Sequence, residues 1–198
     1  MGKDSLVLVD ILRSAGFDLW FYRLDYGGLA FMAARQRQYE RLWGFPVHVY
    51  PHPDYIDSLR RGVLRPWTSQ AASIATAGHQ EILALVREDS GCTWVATGER
   101  LDDSYERRLR YRDTNGVDQE RHRLRPLLHF GKRDVMGYLT QRRIPLNQDY
   151  ERLGHSFEAT RPGDAAWLAD AYPDDYAKLC TLFPHLPAVV MRYVKQQA

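Results

Sequence analysis

The sequence predicts an α/β protein built on a mostly parallel sheet with helices on both faces, followed by a helical C-terminal tail. Short β-rich runs alternate with helix-length runs between Ser5 and Gly98. A strand–helix–strand order needs crossover connections, and crossovers make parallel sheets. The last third of the chain is helix-forming and punctuated by Pro173, Pro184 and Pro187. No apolar run approaches the ~18 residues that a transmembrane helix requires. The 198-residue length fits one main domain, taken as residues 1–160, with a helical extension at 161–198 packed on it.

Ser5 to Ser14 reads as a helix, with Ser5 as N-cap, Asp4 at its positive end and Gly16 as its stop. Its near-continuous apolar run Leu6-Val7-Leu8-Val9 predicts deep burial. Phe17 to Leu24 is β-rich and ends at the turn signal Asp25-Tyr26-Gly27-Gly28. Leu29 to Leu42 is helical, with Gly44 ending it, and Phe45 to Tyr50 is a short strand. Pro51 to Trp67 reads as a loop because it holds several prolines and glycines. His79 to Glu88 is a helix, and Cys92 to Thr97 a buried strand. Between Tyr105 and Arg125 the chain turns basic, and Asp113-Thr114-Asn115-Gly116 predicts the turn of a hairpin. Lys132 to Arg142 is helical, and the aromatics Trp167, Tyr172, Tyr176, Phe183 and Tyr193 of the tail read as core.

A hydrophobic fraction of 44% and a charged fraction of 26% exclude a disordered chain, a collagen-like fibre and a disulfide scaffold. The first residues show no signal-peptide pattern. Cys92 and Cys180 form no CxxC and no metal-ligand spacing, which predicts a reducing cytoplasm, no Fe–S cluster, and two packed thiols rather than nucleophiles. His48 and His52 have no third ligand nearby, so no zinc site is expected. The net charge of +2 names no partner, but of 27 basic residues all except Lys3, Lys132, Lys178 and Lys195 are arginine. Arginine offers planar, bidentate anion binding. Seven arginines fall in the Arg107–Arg125 segment, interleaved with Tyr111 and His122, a pattern that fits nucleic acid as well as a solvated hairpin.

Gly2-Lys3-Asp4-Ser5 stands directly before a helix. Backbone N–H groups at a helix N-terminus point at an anion, and Lys3 adds a mobile cation. The full GxxxxGK[ST] phosphate loop is absent. Thr97 to Arg107 reads TGERLDDSYER and follows an apolar strand. A third stretch runs from Arg125-Pro126-Leu127 through Asp134-Val135, Tyr138-Leu139, Ile144-Pro145 and Asn147 to Tyr150, with Phe130 inside it. In this order the segments resemble the phosphoadenosine phosphosulfate (PAPS) reductase-like branch of the adenine nucleotide α-hydrolase superfamily. That branch carries SGGKDS after its first strand, TGxRxxESxxR after a later one, and a Trp where Phe130 stands. Asp25-Tyr26-Gly27 stands where the family has Asp-Thr-Gly. The resemblance covers residues 2–156.

The resemblance implies an adenine nucleotide, ATP or PAPS, bound beyond the strand ends by a PP-loop. It implies that Lys3 and Asp4 act in catalysis, that Gly2, Lys3 and Ser5 face the phosphates, and that Asp25 and Gly27 lie near base and ribose. Thr97, Gly98, Arg100, Ser104 and Arg107 would complete the phosphate or sulfate site, and Asp4 would hold Mg²⁺. The family carries a strand and Ser-Gly ahead of GKDS, whereas here Met1 directly precedes Gly2. The expectation is a start lying further upstream, or a strand supplied by a second copy in a homo-oligomer or by another partner, or a sheet that has changed. The thiol-dependent reductases carry a Cys in an ECGIH-like motif, where this chain reads Gly154-His155-Ser156-Phe157-Glu158. The leading expectation is therefore a cytoplasmic enzyme, or former enzyme, without the usual thiol chemistry. On ATP it would cleave between the α- and β-phosphates and adenylate an acceptor. An ATP-dependent RNA- or DNA-modifying enzyme and a non-catalytic assembly protein on the same fold are the alternatives, and none of the three involves a membrane.

Overall fold

The computed structural model describes residues 2–197. In chain order its elements begin with α1 (Lys3–Ser14), β1 (Phe21–Asp25), α2 (Ala30–Trp43), β2 (Val47–Pro51), α3 (Pro53–Arg61), α4 (Ser69–Ala72) and α5 (His79–Ser90). β3 (Val95–Ala96) follows, then a 3-10 turn at Leu101–Asp103, α6 (Tyr105–Tyr111), β4 (Val117–Asp118) and β5 (Arg123–Leu124). The chain closes with α7 (Lys132–Gln141), α8 (Gln148–Leu153), α9 (Pro162–Ala171), α10 (Pro173–Leu182) and α11 (Leu186–Gln197). The protein is α/β, and no helix of the described residues is long and apolar enough to cross a membrane.

Several elements differ from the sequence reading, each for a local reason. α1 begins at Lys3 rather than after Ser5, because the Leu6 N–H reaches the Gly2 carbonyl at 3.3 Å. Pro53 opens α3 inside the stretch read as a loop: proline at the first helical position loses no hydrogen bond, and the His52 ring accepts from the Asp54 N–H at 3.2 Å. Cys92 is exposed and precedes β3 instead of beginning a buried strand. The basic segment opens with α6, since Ser104 caps it by accepting from the Arg107 N–H at 3.1 Å. Asp113–Gly116 then links α6 to β4, and the hairpin turn falls at residues 119–122. In the tail, Pro173 starts α10 and Pro187 sits in the first turn of α11, so only Pro184 lies between helices.

The chain divides into two compact units. Residues 2–21 and 87–156 form the first, residues 22–86 and 157–197 the second. In the first, β3 pairs with β5 in parallel (Val95 with Arg123, Ala96 with Leu124), and β4 pairs with β5 antiparallel. α1 packs on α7, burying Leu6, Val7, Val135 and Leu139. That contact is fastened by the Asp10 carboxylate, which accepts from Tyr138 Oη at 2.9 Å and Arg142 Nε at 2.8 Å.

In the second unit β1 and β2 form a parallel pair. α9 packs on α10 and α11. The Phe31 ring of α2 meets Phe157, Trp167 and Tyr172 at centroid distances of 5.1, 5.7 and 5.3 Å. Asp175 of α10 caps α2 from far along the sequence. Its two carboxylate oxygens accept from the Ala30 and Phe31 N–H groups at 2.7 and 2.8 Å. This supplies the cap that Leu29, the local N-cap residue, lacks.

Asp175→Ala leaves those donors without acceptors and is expected to cost about 2 kcal/mol, read as a lower urea midpoint. Asp175→Asn keeps one acceptor oxygen and is expected to recover part of the loss. Equal midpoints for all three proteins would refute the cap.

Candidate functional site

The start of α1 supplies half of the site. Gly2 caps the helix in extended conformation (φ −88°, ψ 169°) and offers no side-chain acceptor, so the positive end of this 12-residue helix has no side-chain cap. Lys3 is 8% exposed. Its Nζ donates to Asp4 Oδ2 at 2.5 Å and lies 5.8 Å from the centre of the Tyr150 ring. The Tyr150 hydroxyl has its pKa raised, first by burial and then by the Asp4 charge.

The loop after β3 supplies the other half. A Cβ on Gly98 would sit 3.2 Å from Asp4 Cβ and 3.4 Å from the Asp4 carbonyl oxygen. Glycine is needed here for close approach, and that approach sets the next residue against α1. Arg100 Nε lies 2.9 Å from Asp4 Oδ1. The two attract as ions, but the N–H is not aimed at the oxygen, so both atoms are buried without a hydrogen bond. Arg100 Nη2 donates to Asp103 Oδ1 at 2.7 Å, and the Arg100 backbone N–H donates to Asp103 Oδ2 at 3.0 Å. Arg107 Nη1 donates to the same Asp103 Oδ2 at 2.7 Å, and Arg107 Nε is 3.7 Å from Glu99 Oε1. Glu99 Oε2 accepts from Arg125 Nε at 3.0 Å and from Thr97 Oγ1 at 3.2 Å.

These contacts make one alternating chain of charge: Lys3, Asp4, Arg100, Asp103, Arg107, Glu99, Arg125. Four cations face three carboxylates. Arg125 anchors one end, its side chain 2% exposed and its guanidinium stacked 3.9 Å from the centre of the Tyr111 ring. Its Nη1 is buried with no hydrogen-bond partner. Arg107, between Asp103 and Glu99, is the most exposed cation of the series, at 39%. An unbalanced cation in a poorly solvated network attracts an anion more strongly than the same charge in water. Guanidinium groups in this setting suit oxyanions such as phosphate or sulfate, which they bind in a bidentate manner.

The structure thus brings together Gly2, Lys3, Asp4, Thr97, Gly98, Arg100 and Arg107. Ser5 lies in the first turn of α1, and Ser104 serves as the cap that aims Arg107. Gly2 also faces the segment where the resemblance would place a thiol: a Cβ on Gly2 would sit 2.7 Å from Ser156 Oγ. Among the described residues no group of three or more His, Cys, Asp or Glu side chains is gathered for a metal. Mg²⁺ is commonly held by one or two carboxylates together with phosphate oxygens. Asp4 Oδ1, which accepts no hydrogen bond, fits as a single such ligand.

Asp25 and Gly27 belong to the second unit. Asp25 accepts from Arg23 Nη1 at 2.6 Å and from the Gly28 N–H. Gly27 and Gly28 have φ of 88° and 69°, which L side chains rarely adopt. Beside this turn, Tyr26 Oη and His52 Nε2 are 2.8 Å apart, with the rings stacked at 4.2 Å. Because His52 Nδ1 accepts from the Asp54 N–H, the neutral ring carries its proton on Nε2 and donates it to the Tyr26 oxygen. Burial pushes His52 below its ordinary value, and burial with Asp54 and Glu158 pushes Tyr26 up to about 12.

Sequence reasoning missed Glu99, Tyr111, Tyr150 and the anchoring role of Arg125. Glu99 occupies an unspecified position of the motif. Arg125 sits in a run of exposed arginines, and only its neighbours Leu124 and Pro126-Leu127-Leu128 hint at burial.

Two measurements check these descriptions. Arg125→Ala takes from Glu99 its buried cation, leaving it Thr97 and Arg107, and removes the stack on Tyr111; it is expected to cost about 3 kcal/mol, whereas Arg110→Ala, at an exposed pair, should leave the urea midpoint unchanged. The Tyr26–His52 pair should confine stability to a pH window. The unfolded chain binds more protons than the folded one below the ordinary histidine value, so stability falls with acid. It binds fewer between pH 10 and about 12, so stability falls again as tyrosine ionises. Tyr26→Phe should reduce the alkaline loss without removing it, since Tyr55, Tyr138, Tyr150 and Tyr176 are also raised; an unchanged loss would contradict the assignment.

The chain matches no protein-family model, and no curated protein matches it.

Proposed function

We propose that the chain is a PAPS reductase-like protein that binds the phosphate groups of an adenine nucleotide, ATP or PAPS, at the edge formed by the start of α1 and the loop after β3. The carrying observation is the gathering of Lys3, Arg100 and Arg107 in one network with a carboxylate too few, at a helix N-terminus with no side-chain cap. The reading carries with it a mostly parallel sheet with helices on both faces; its support is the parallel pairing of β1 with β2 and of β3 with β5.

An incoming phosphate meets Arg107 first, since that side chain is the network's most exposed cation. It then competes with Asp103 for Arg107 and Arg100, and with Asp4 for Lys3. Each exchange replaces a carboxylate by an oxyanion of higher charge, so the network need not be dismantled. Mg²⁺ shared between Asp4 and the phosphates would spread charge on the leaving group. With ATP, an acceptor's nucleophile bonds to the α-phosphorus as the bond to the bridging oxygen breaks. Pyrophosphate leaves with that electron pair, and Lys3 and Arg100 stabilise its charge. Sulfonyl reduction by a protein thiol is not part of the proposal, because the stretch Gly154-His155-Ser156-Phe157-Glu158, where the resemblance would place the thiol, holds no Cys.

A second reading is a non-catalytic assembly protein in which the network is a structural tie. It is favoured by the pairing of Arg100 and Arg107 with the chain's own Asp103 and Glu99.

A thermal-shift titration with ATP, AMP, PAPS and phosphoadenosine phosphate, with and without Mg²⁺, separates the two. A nucleotide at 100 times its Kd should stabilise the fold by about 2.7 kcal/mol. Arg107→Ala, whose side chain is partly exposed, should weaken it about tenfold or more, and Arg100→Ala should do at least as much. No shift with any nucleotide, from folded protein, would overturn the nucleotide reading in favour of the structural tie.

A further inference from the structure

α6 turns one face toward the charge network and the opposite face away from it. Tyr111, Ser104 and Arg107 point into the first unit, where Tyr111 is 7% exposed and carries the Arg125 guanidinium. Tyr105, Arg108, Leu109 and Arg112 recur at three- and four-residue spacing and so share the outer face. Tyr105 is 71% and Leu109 53% exposed, and both arginines are exposed. Arg110 pairs with Glu106 on the flank, and Arg112 meets only the exposed Asp113, at 3.2 Å. The Asp113–Gly116 turn joins this helix to β4 and β5. There Arg121 is held loosely by Asp118 at 3.5 Å, and the half-exposed Trp94 stands edge-on to His122 at 5.2 Å. Among the described residues, Arg108 and Arg123 form no ion pair.

Residues 105–125 hold seven arginines and four carboxylates, a net +3 against +2 for the whole chain. Arg107 and Arg125 are taken up by Asp103 and Glu99, so the five remaining arginines of the segment face its four carboxylates, a net +1 on the outer face and hairpin. Here an exposed tyrosine and leucine stand between arginines, and a tryptophan–histidine pair lies by the hairpin.

We propose that the outer face of α6 and the β4–β5 hairpin bind single-stranded nucleic acid, with Arg108, Arg112, Arg121 and Arg123 on the phosphates and Tyr105 and Trp94 as stacking platforms for bases. A duplex hides its base faces and would leave the aromatics unused; an unpaired strand uses both features. The surface shares no side chain with the Lys3–Arg125 charge chain, so it stands even if that cluster binds no nucleotide.

The test is fluorescence anisotropy with labelled 20-nucleotide oligouridylate, oligothymidylate and a 20-base-pair duplex, without ATP. Three or four phosphate contacts predict binding to the single strands that weakens roughly 20- to 50-fold between 50 and 200 mM salt. The Arg108→Ala/Arg112→Ala double variant should lower the salt slope by about 1.4. Tyr105→Ala should weaken binding about fivefold or more. Both variants change exposed positions, and an unchanged melting temperature shows that they fold. Tighter binding of either single strand supports the proposal and says whether the partner is RNA or DNA. Equal or tighter binding of the duplex, equal capture of labelled poly-glutamate, or no effect of Tyr105→Ala would each overturn it.

Discussion

The contact between Gly98 and Asp4 sets the charged edge of the first unit. With no side chain on Gly98, the loop after β3 lies directly on the first turn of α1, at would-be Cβ distances of 3.2–3.4 Å. From there Arg100 reaches Asp4, and the series of pairs runs on through Asp103, Arg107 and Glu99 to Arg125. Buried charges are tolerated when each is met by another, so the network holds its own geometry once the loop is seated. It closes one carboxylate short, and that shortfall is the ground on which we propose that the edge takes an anion.

The supports around this edge are ordinary pieces of local chemistry. Ser104 caps α6 and thereby orients Arg107. The Leu101 N–H donates to the Leu128 carbonyl at 2.9 Å, and the Thr97 N–H to the Leu124 carbonyl at 2.9 Å, tying the loop to the chain that carries Arg125. Asp10, with Tyr138 and Arg142, locks α1 to α7. Apart from the Ser104 cap, each of these joins segments distant in sequence, so the edge is assembled largely by tertiary contacts.

Much of this was legible in the sequence, and the limits are physical. Helices with local signals read well: α2 ends at Gly44 in the left-handed region, and α7 lies within the predicted stretch. Lys3 stood out because it lies at a helix start, whereas Asp4, Arg100 and Arg107 stood out through the resemblance of GKDS and TGERLDDSYER to known motifs. The cap that Asp175 places on α2 and the burial of Arg125 did not, because both depend on contacts that no local pattern encodes. Proline was read as a breaker where it starts helices, at Pro53 and Pro173. The turn signal at Asp113–Gly116 was real but belongs to the link from α6 to β4, since helix capping by Ser104 outweighed the alternating pattern of the basic run.

The most direct test of the anion-binding edge is to follow the arginine Nε–H resonances of ¹⁵N-labelled protein while adding inorganic pyrophosphate. The account predicts saturable shifts of Arg100 and Arg107, with Arg110, on the exposed flank of α6, unmoved. Shifts spread evenly over the exposed arginines, or none at Arg100 and Arg107, would contradict it.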